Sequence, residues 1–218
     1  APALTNGILA YGTGDDGTNQ GFLTYDAIKG FRVITSAELT ALTQLVEPTL
    51  PTQTGVTTGL TSTTGTAISN YSLASTVNVT QDTVANSLTL ASGGGLLING
   101  GNLVTGAGAL INAGGHLFAA DGTLTQVALA SGGVYAQTGN TGITNGAITT
   151  SGTNTNLTLH TVGDLSINSY VLANGTGSIV KDGAGTLTLG KTDFMTGGLT
   201  ILQGNVSLNS GSDNTVVV

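Results

Sequence analysis

The sequence predicts an all-β fold, a parallel β-helix or solenoid, on three observations. In the stretch from Gly177 to Gly211, GSIVKDGAGTLTLGKTDFMTGGLTILQGNVSLNSG, apolar residues recur at every second position: Leu187 and Leu189, Leu199 and Ile201, Val206 and Leu208. A period of two is that of a strand with one buried face. Each short run is closed by Gly, Asn or Asp, which accept the positive φ angles of a sharp corner. The same grammar recurs upstream in SLTLASGG from Ser87, GLLINGG from Gly95, ALINAGG from Ala109, VALASGG from Val127 and NLTLHTVGD from Asn156. A degenerate repeat of strand and corner reads as stacked rungs.

Taken in order, residues 1–50 are the most ordinary part of the chain. They hold five acids (Asp15, Asp16, Asp26, Glu38, Glu47), two bases (Lys29, Arg32) and four aromatics (Tyr11, Phe22, Tyr25, Phe31). GILAY, GFLTYD and GFRVI read as short strands. Thr35 and Glu38 have the spacing of a capping box ahead of AELTALTQLV, where Leu39, Leu42 and Val46 share a helical face and Pro48 ends the run. A short helix is expected there, and the whole segment is expected to cap the first rung, since a terminal repeat needs a cover. Residues 51–66, uncharged and rich in Thr, Pro and Gly, are expected to be a connector. Residues 67–218 are then the β-helix proper, with about six to eight rungs at roughly 20 to 25 residues each. Its last strand, Thr215, Val216, Val217 and Val218, carries no turn signal after it and is expected to be an edge that pairs with a neighbour, head to tail. The opening APAL is expected to follow a small-residue cleavage site.

The run KDGAGTLTLG from Lys181, followed by TGGLTILQGNVSL, resembles the autotransporter-associated β-strand repeat, K-x-G-x-G-T-L-x-L-x-G with a following T-G-G-T-x-I-x-x-G-x-L. The likeness covers Lys181 to Leu208, with Phe194 near an aromatic of the pattern. Lys191 stands where Gly is usual, Leu199 replaces a Thr, and Val206 replaces a Leu. NGILAYG and GFLTYD resemble the segment that precedes such repeats. The resemblance implies a right-handed parallel β-helix in an exported bacterial surface or extracellular protein. It implies no enzymatic activity and no cofactor.

Composition narrows the function classes. Only 7% of the 218 residues are charged, against about 25% in an ordinary domain. Solubility therefore falls to Thr, Ser, Asn and Gly, which suit the outer face of stacked strands. Four Lys and Arg against 11 Asp and Glu give a net charge of −7 and a pI near 4.2. Phosphate binding needs clustered cations, so nucleic acid is not an expected partner. There is no Cys, hence no disulfide and no thiolate metal site. No run approaches the roughly 18 apolar residues of a membrane helix.

Several motifs carry possible chemistry, each with a plainer reading. GTGDDG, Gly12 to Gly17, matches G-x-G-x-x-G, but TNQGFLTYD after it reads as strand or turn, whereas a dinucleotide site needs a helix there. Asp15 and Asp16, with Asn19 and Asp26, could offer oxygen ligands to calcium, while the plainer reading is a solvated turn. His116 and His160, the two histidines, sit beside inward Leu residues and are expected to point outward as surface groups. Asp121 and Asp164 lie near them in sequence, yet no G-x-S-x-G nucleophile motif accompanies them. A polysaccharide-cleaving enzyme would need two carboxylates across a groove, whereas Asp121, Asp164, Asp182 and Asp193 fall singly at corners and Lys181 and Lys191 are the nearby cations. The Thr-rich faces TSTTGT and ITTSGTNTNLTLHT could form flat hydroxyl arrays of an ice-binding kind, against which stands their irregular spacing. The sequons at Asn70, Asn78, Asn156, Asn174 and Asn205 are as frequent as this composition makes by chance. The expected function is a non-catalytic extracellular structural segment of a bacterial surface or fibre. A glycan-binding adhesin passenger is the alternative, and a polysaccharide-active enzyme the third reading.

Overall fold

The structure, a computed structural model, describes residues 2–5, 7–9, 12–18, 20–35, 38, 40–41, 70–79, 83–98, 110–113, 116–119, 126–150, 152, 154–172, 176–191, 193–194, 197–209 and 216–217. It is an all-β solenoid of stacked parallel coils. Strands β1 (Thr13–Asp15), β2 (Gln20–Asp26) and β3 (Gly30–Val33) form a separate antiparallel sheet. The coils begin with β4 (Thr40–Ala41), β5 (Asn70–Leu73), β6 (Thr76–Val79), β7 (Thr83–Leu90) and β8 (Gly95–Ile98). An antiparallel hairpin comes next, β9 (Leu110–Ala113) with β10 (His116–Ala119). The stack resumes with β11 (Gln126–Ala136), β12 (Gly142–Thr150), β13 (Leu157–Thr161), β14 (Leu165–Leu172), β15 (Ile179–Asp182) and β16 (Thr186–Leu189). It continues through β17 (Asp193–Phe194), β18 (Leu199–Ile201), β19 (Asn205–Leu208) and β20 (Val216–Val217).

Parallel pairing sorts these strands into three faces. The first stacks β4, β5, the second half of β7 and of β11, then β13, β15 and β18. The second stacks β6, β8, the first half of β12 and of β14, then β16 and β19. The third joins the first half of β7 and of β11 to the second half of β12 and of β14, then β17 and β20. The long strands cross a corner where the register slips. In β12 this falls between Thr144 and Ala147, at Asn145 and Gly146 with φ of 61° and 48°.

Alternation sends every second side chain into the bore, and register aligns them from coil to coil. On the second face Val77, Leu96, Ile143, Ile167, Leu189 and Leu208 form one column. On the first face Tyr71, Leu88, Val134 and Leu159 lead to Lys181 and Ile201. Burying one such aliphatic side chain contributes about 1.5–3 kcal/mol, so the columns are the main source of cohesion. Lys181 occupies a bore position because its ammonium is satisfied at the corner: Nζ donates to the carbonyls of Gly183 at 2.7 Å, Gln203 at 2.8 Å and Asp182 at 3.2 Å. Three donors meet three acceptors, and Gln203 belongs to the next coil. Burial lowers the pKa of this ammonium, against the opposing fields of Asp182 and Asp164.

Polar side chains at other corners also reach one coil onward. Asn154 Oδ1 accepts from the Thr176 N–H at 2.8 Å, Asn156 Oδ1 from the Ser178 N–H at 3.1 Å, and Asp164 Oδ1 from the Thr186 N–H at 2.7 Å, each 22 residues away. Gly183 has no alternative at its corner: φ is +81°, and a Cβ there would collide with the Thr161 carbonyl of the preceding coil.

Two expectations are corrected. Thr40–Ala41 form β4, paired in parallel with Tyr71 and Ser72, where a helix was expected, because the free edge of β5 supplies backbone partners that a short helix lacks. The capping-box contact survives locally: Glu38 accepts from the Thr35 N–H at 2.9 Å and pairs with Arg32 at 2.7 Å. Within the N-terminal segment expected to cap the first rung, the sheet β1–β2–β3 lies along the flank of the first face, where Phe22 and Ile8 bury against Tyr135, while β4 sits at the end of that ladder among the described residues. The repeat is interrupted by β9 and β10, which pair with each other. Val216–Val217 pair on β17 and are the outermost strand of that ladder among the described residues; Thr215 and Val218 lie outside the described residues, as do the connector 51–66 and residues 67–69.

Candidate functional site

The outward side of the first face carries its own column. Between the inward Val134, Leu159 and Lys181, alternation places Ser72, Thr89, Tyr135, His160 and Asp182 on the outer surface, one above the next. Parallel stacking holds neighbours in such a column about 4.8 Å apart, so an imidazole directly above a carboxylate meets it. His160 Nδ1 lies 2.7 and 2.8 Å from the two carboxyl oxygens of Asp182. A carboxylate accepts, so in the neutral ring Nδ1 carries the proton and Nε2 presents a lone pair.

The N-terminal sheet covers this column. Phe22 packs edge-on against His160 with centroids 5.8 Å apart, and tilted against Tyr135 at 5.7 Å. Gln137 Nε2 reaches the Gln20 carbonyl at 3.4 Å, and Asn86 Nδ2 the Thr5 carbonyl at 3.3 Å. The result corrects the expectation of a surface histidine: His160 does point away from the bore, yet it is only 1% exposed. Its Nε2 is buried without a hydrogen-bond partner. A buried acceptor left open is expensive, and one at the wall of a cavity calls for an explanation.

The sheet does not seal the flank completely. A cleft of about 270 Å³ remains between β1 with the start of β2 and the corners of the solenoid, with Asp15, Gln20, Tyr135, His160, Asp182 and Gln203 among its walls. Its charge is negative. Asp15 is held below the ordinary aspartate range by the Gln20 side-chain amide at 2.7 Å and the Gly17 N–H. Burial pushes the Tyr135 phenol up to about 12, and the fields of Asp15 and Asp182 add to it. The Lys181 ammonium lies behind this wall, donating to the carbonyls of Gly183 and Gln203, and its charge acts on Asp182 from there.

The other candidates lie apart from this cleft or serve the backbone. Asp15 and Asp16 each close a turn of their own, taking the N–H of Gly17 at 2.7 Å and of Thr18 at 2.9 Å. Asp26 takes those of Ile28 and Lys29. Asn19 lies outside the described residues, among which no three His, Cys, Asp or Glu gather as a metal site would require. Gly12 to Gly17 runs into the β1–β2 hairpin, with no helix starting there. The His116 side chain and Asp121 lie outside what is described. Asp164 serves Thr186, not His160. Lys191 stands over the Tyr170 ring at 4.7 Å. Asp193 points into the bore below Val171, 3% exposed, with Oδ1 unpartnered. Burial pushes its carboxyl up to about 7, opposed by the Val171 N–H.

Asp15 and Asp182 are thus two carboxylates in one cleft, with Asp15 held below the ordinary aspartate range by Gln20 and Gly17. The His160–Asp182 pair is not legible locally, because Asp182 falls within the run KDGAGTLTLG and reads there as a single acid at a corner. The signal was present as spacing: the two residues are 22 apart, one coil. Among the described residues no helix is long and apolar enough to cross a membrane. No protein-family model, no curated protein and no solved structure matches the chain.

Proposed function

We propose that this chain is a non-catalytic structural segment of a bacterial surface or extracellular fibre, in which solenoids associate end to end. The observation that supports it is the outermost coil. β18 and β19 end their ladders among the described residues, and the positions that continue the bore columns stand open there: Ile201 is 48% exposed and Leu208 41%, beside Leu202 at 67%. Open strand edges with apolar side chains template further strands. At the other end, among the described residues, β6 pairs only with β8, so the second face offers an unpaired edge there as well. A second copy stacked in register would continue the Val77-to-Leu208 column. The occupant is therefore another copy of this chain, and with so few charges the contact would respond little to salt.

Negative-stain electron microscopy over a concentration series tests this. Filaments or end-to-end pairs are expected, with Leu208→Lys and deletion of Thr215 to Val218 each leaving folded single rods. Single rods at every concentration, or association unchanged in both variants, overturns the reading. The autotransporter-type adhesin passenger remains the second reading, favoured by the acidic cleft on the flank; specific capture on a glycan array separates it from a purely structural fibre.

A further inference from the structure

The cleft beneath the N-terminal sheet is built, not incidental. Three different coils contribute Tyr135, His160 and Asp182 to one outward column, and a separate sheet brings Asp15 and Gln20 over it. What these groups offer is almost all acceptor. Asp182 keeps part of its carboxylate accessible, with its side chain 29% exposed. Asp15 faces the same space from the opposite wall with lone pairs beyond those used by Gly17 and Gln20. Nε2 of the buried His160 has no partner. An acceptor-rich, negative pocket with no free cation among its described walls is complementary to a donor that carries positive charge. Its volume of about 270 Å³ falls just below the range of drug-sized ligand sites, about 300–1,000 Å³, and suits a small molecule or a single side chain.

The geometry points to a binding site for a primary ammonium group, carried by an amino sugar or by a lysine side chain, that faces Asp15 and Asp182 against the wall where His160 holds Asp182. The site goes beyond the fibre reading and names a ligand class for the second one. Failure with amines leaves a positive glycan array standing, and the two tests are therefore separable.

The test tracks the ring signals of His160 by NMR at fixed pH, with His116→Gln used to assign them, since the chain has two histidines. D-glucosamine should shift the His160 signals while N-acetylglucosamine, which lacks the ammonium, should not. Asp15→Asn and Asp182→Asn should each weaken the response about tenfold. Asp15 is exposed, so its variant keeps the test valid if Asp182→Asn misfolds. Free lysine in place of glucosamine distinguishes the source: a response to lysine alone assigns the site to a protein side chain. Equal responses to glucosamine and its acetylated form, or no response to either amine, overturns the proposal.

Discussion

The coil built from β13 and β14 and the coil built from β18 and β19 are written in the same grammar, yet one is interior and the other is not. Leu159 and Ile167 are fully buried, whereas Ile201 and Leu208, in the same two columns, are 48% and 41% exposed. Alternation assigns all four to the bore. What differs is the next coil: β15 and β16 close over β13 and β14, while among the described residues nothing continues β18 or β19. In a solenoid, burial is thus a nearest-neighbour property, contributed by the coil above and the coil below.

The strongest way to break that comparison is truncation at matched positions. Leu159→Ala should lower stability by about 2–5 kcal/mol, as a buried cavity does, while Ile201→Ala in the isolated chain should stay within about 0.5 kcal/mol. Urea denaturation of the two variants measures the difference; equal losses would mean that the outer coil is covered. If copies stack as proposed, raising the protein concentration should make the Ile201 variant the more costly of the pair.

Asp193 sharpens the comparison, because it occupies a bore column in which Val127, Ile148 and Val171 precede it. Its folded pKa of about 7 lies above the unfolded 3.8. The folded state therefore holds the proton more tightly, and stability is fully present below about pH 4. It falls as the pH rises and is lost as the pH passes about 7, by at most about 4 kcal/mol. Thermal unfolding of wild type and Asp193→Asn across this window should show a slope in the first and a nearly flat line in the second. Parallel slopes would remove the carboxyl from the explanation.

The smallest expected effect lies at the corners. Asn156→Ala removes an acceptor from the Ser178 N–H, one coil away, and at this exposed position should lower stability by about 1 kcal/mol. Hydrogen exchange should show the loss locally, at Ser178 before any other amide. A uniform change along the stack would mean that the corner contacts do not act coil by coil.

The strands of the repeat were legible because each depends on its own residues: GTLTLG, LTILQG and NVSL alternate and end in corner formers, and they form β16, β18 and β19. The β2 and β3 strands were legible for the same reason. AELTALTQLV misled at Thr40–Ala41, where helical spacing yielded to the backbone edge of β5. The site was harder to read. Asp15, His160 and Asp182 each have a bland local reading, and no local pattern distinguishes a corner aspartate that serves a backbone, as Asp164 does, from one that meets a histidine.

Alternation and corner chemistry alone determined that the chain is an all-β stack of coils with Leu, Ile and Val inside and Thr and Asn outside, because the period of two is local and every rung repeats it. Tertiary structure alone decided that the N-terminal sheet lies on the flank, that His160 is buried under Phe22, that the Lys181 ammonium is held by three carbonyls at the edge of the bore, and that a negative cleft survives between sheet and solenoid. Those outcomes depend on register between coils and on contacts between residues remote in sequence, where the free energy belongs to the pair and neither partner carries it in its own neighbourhood.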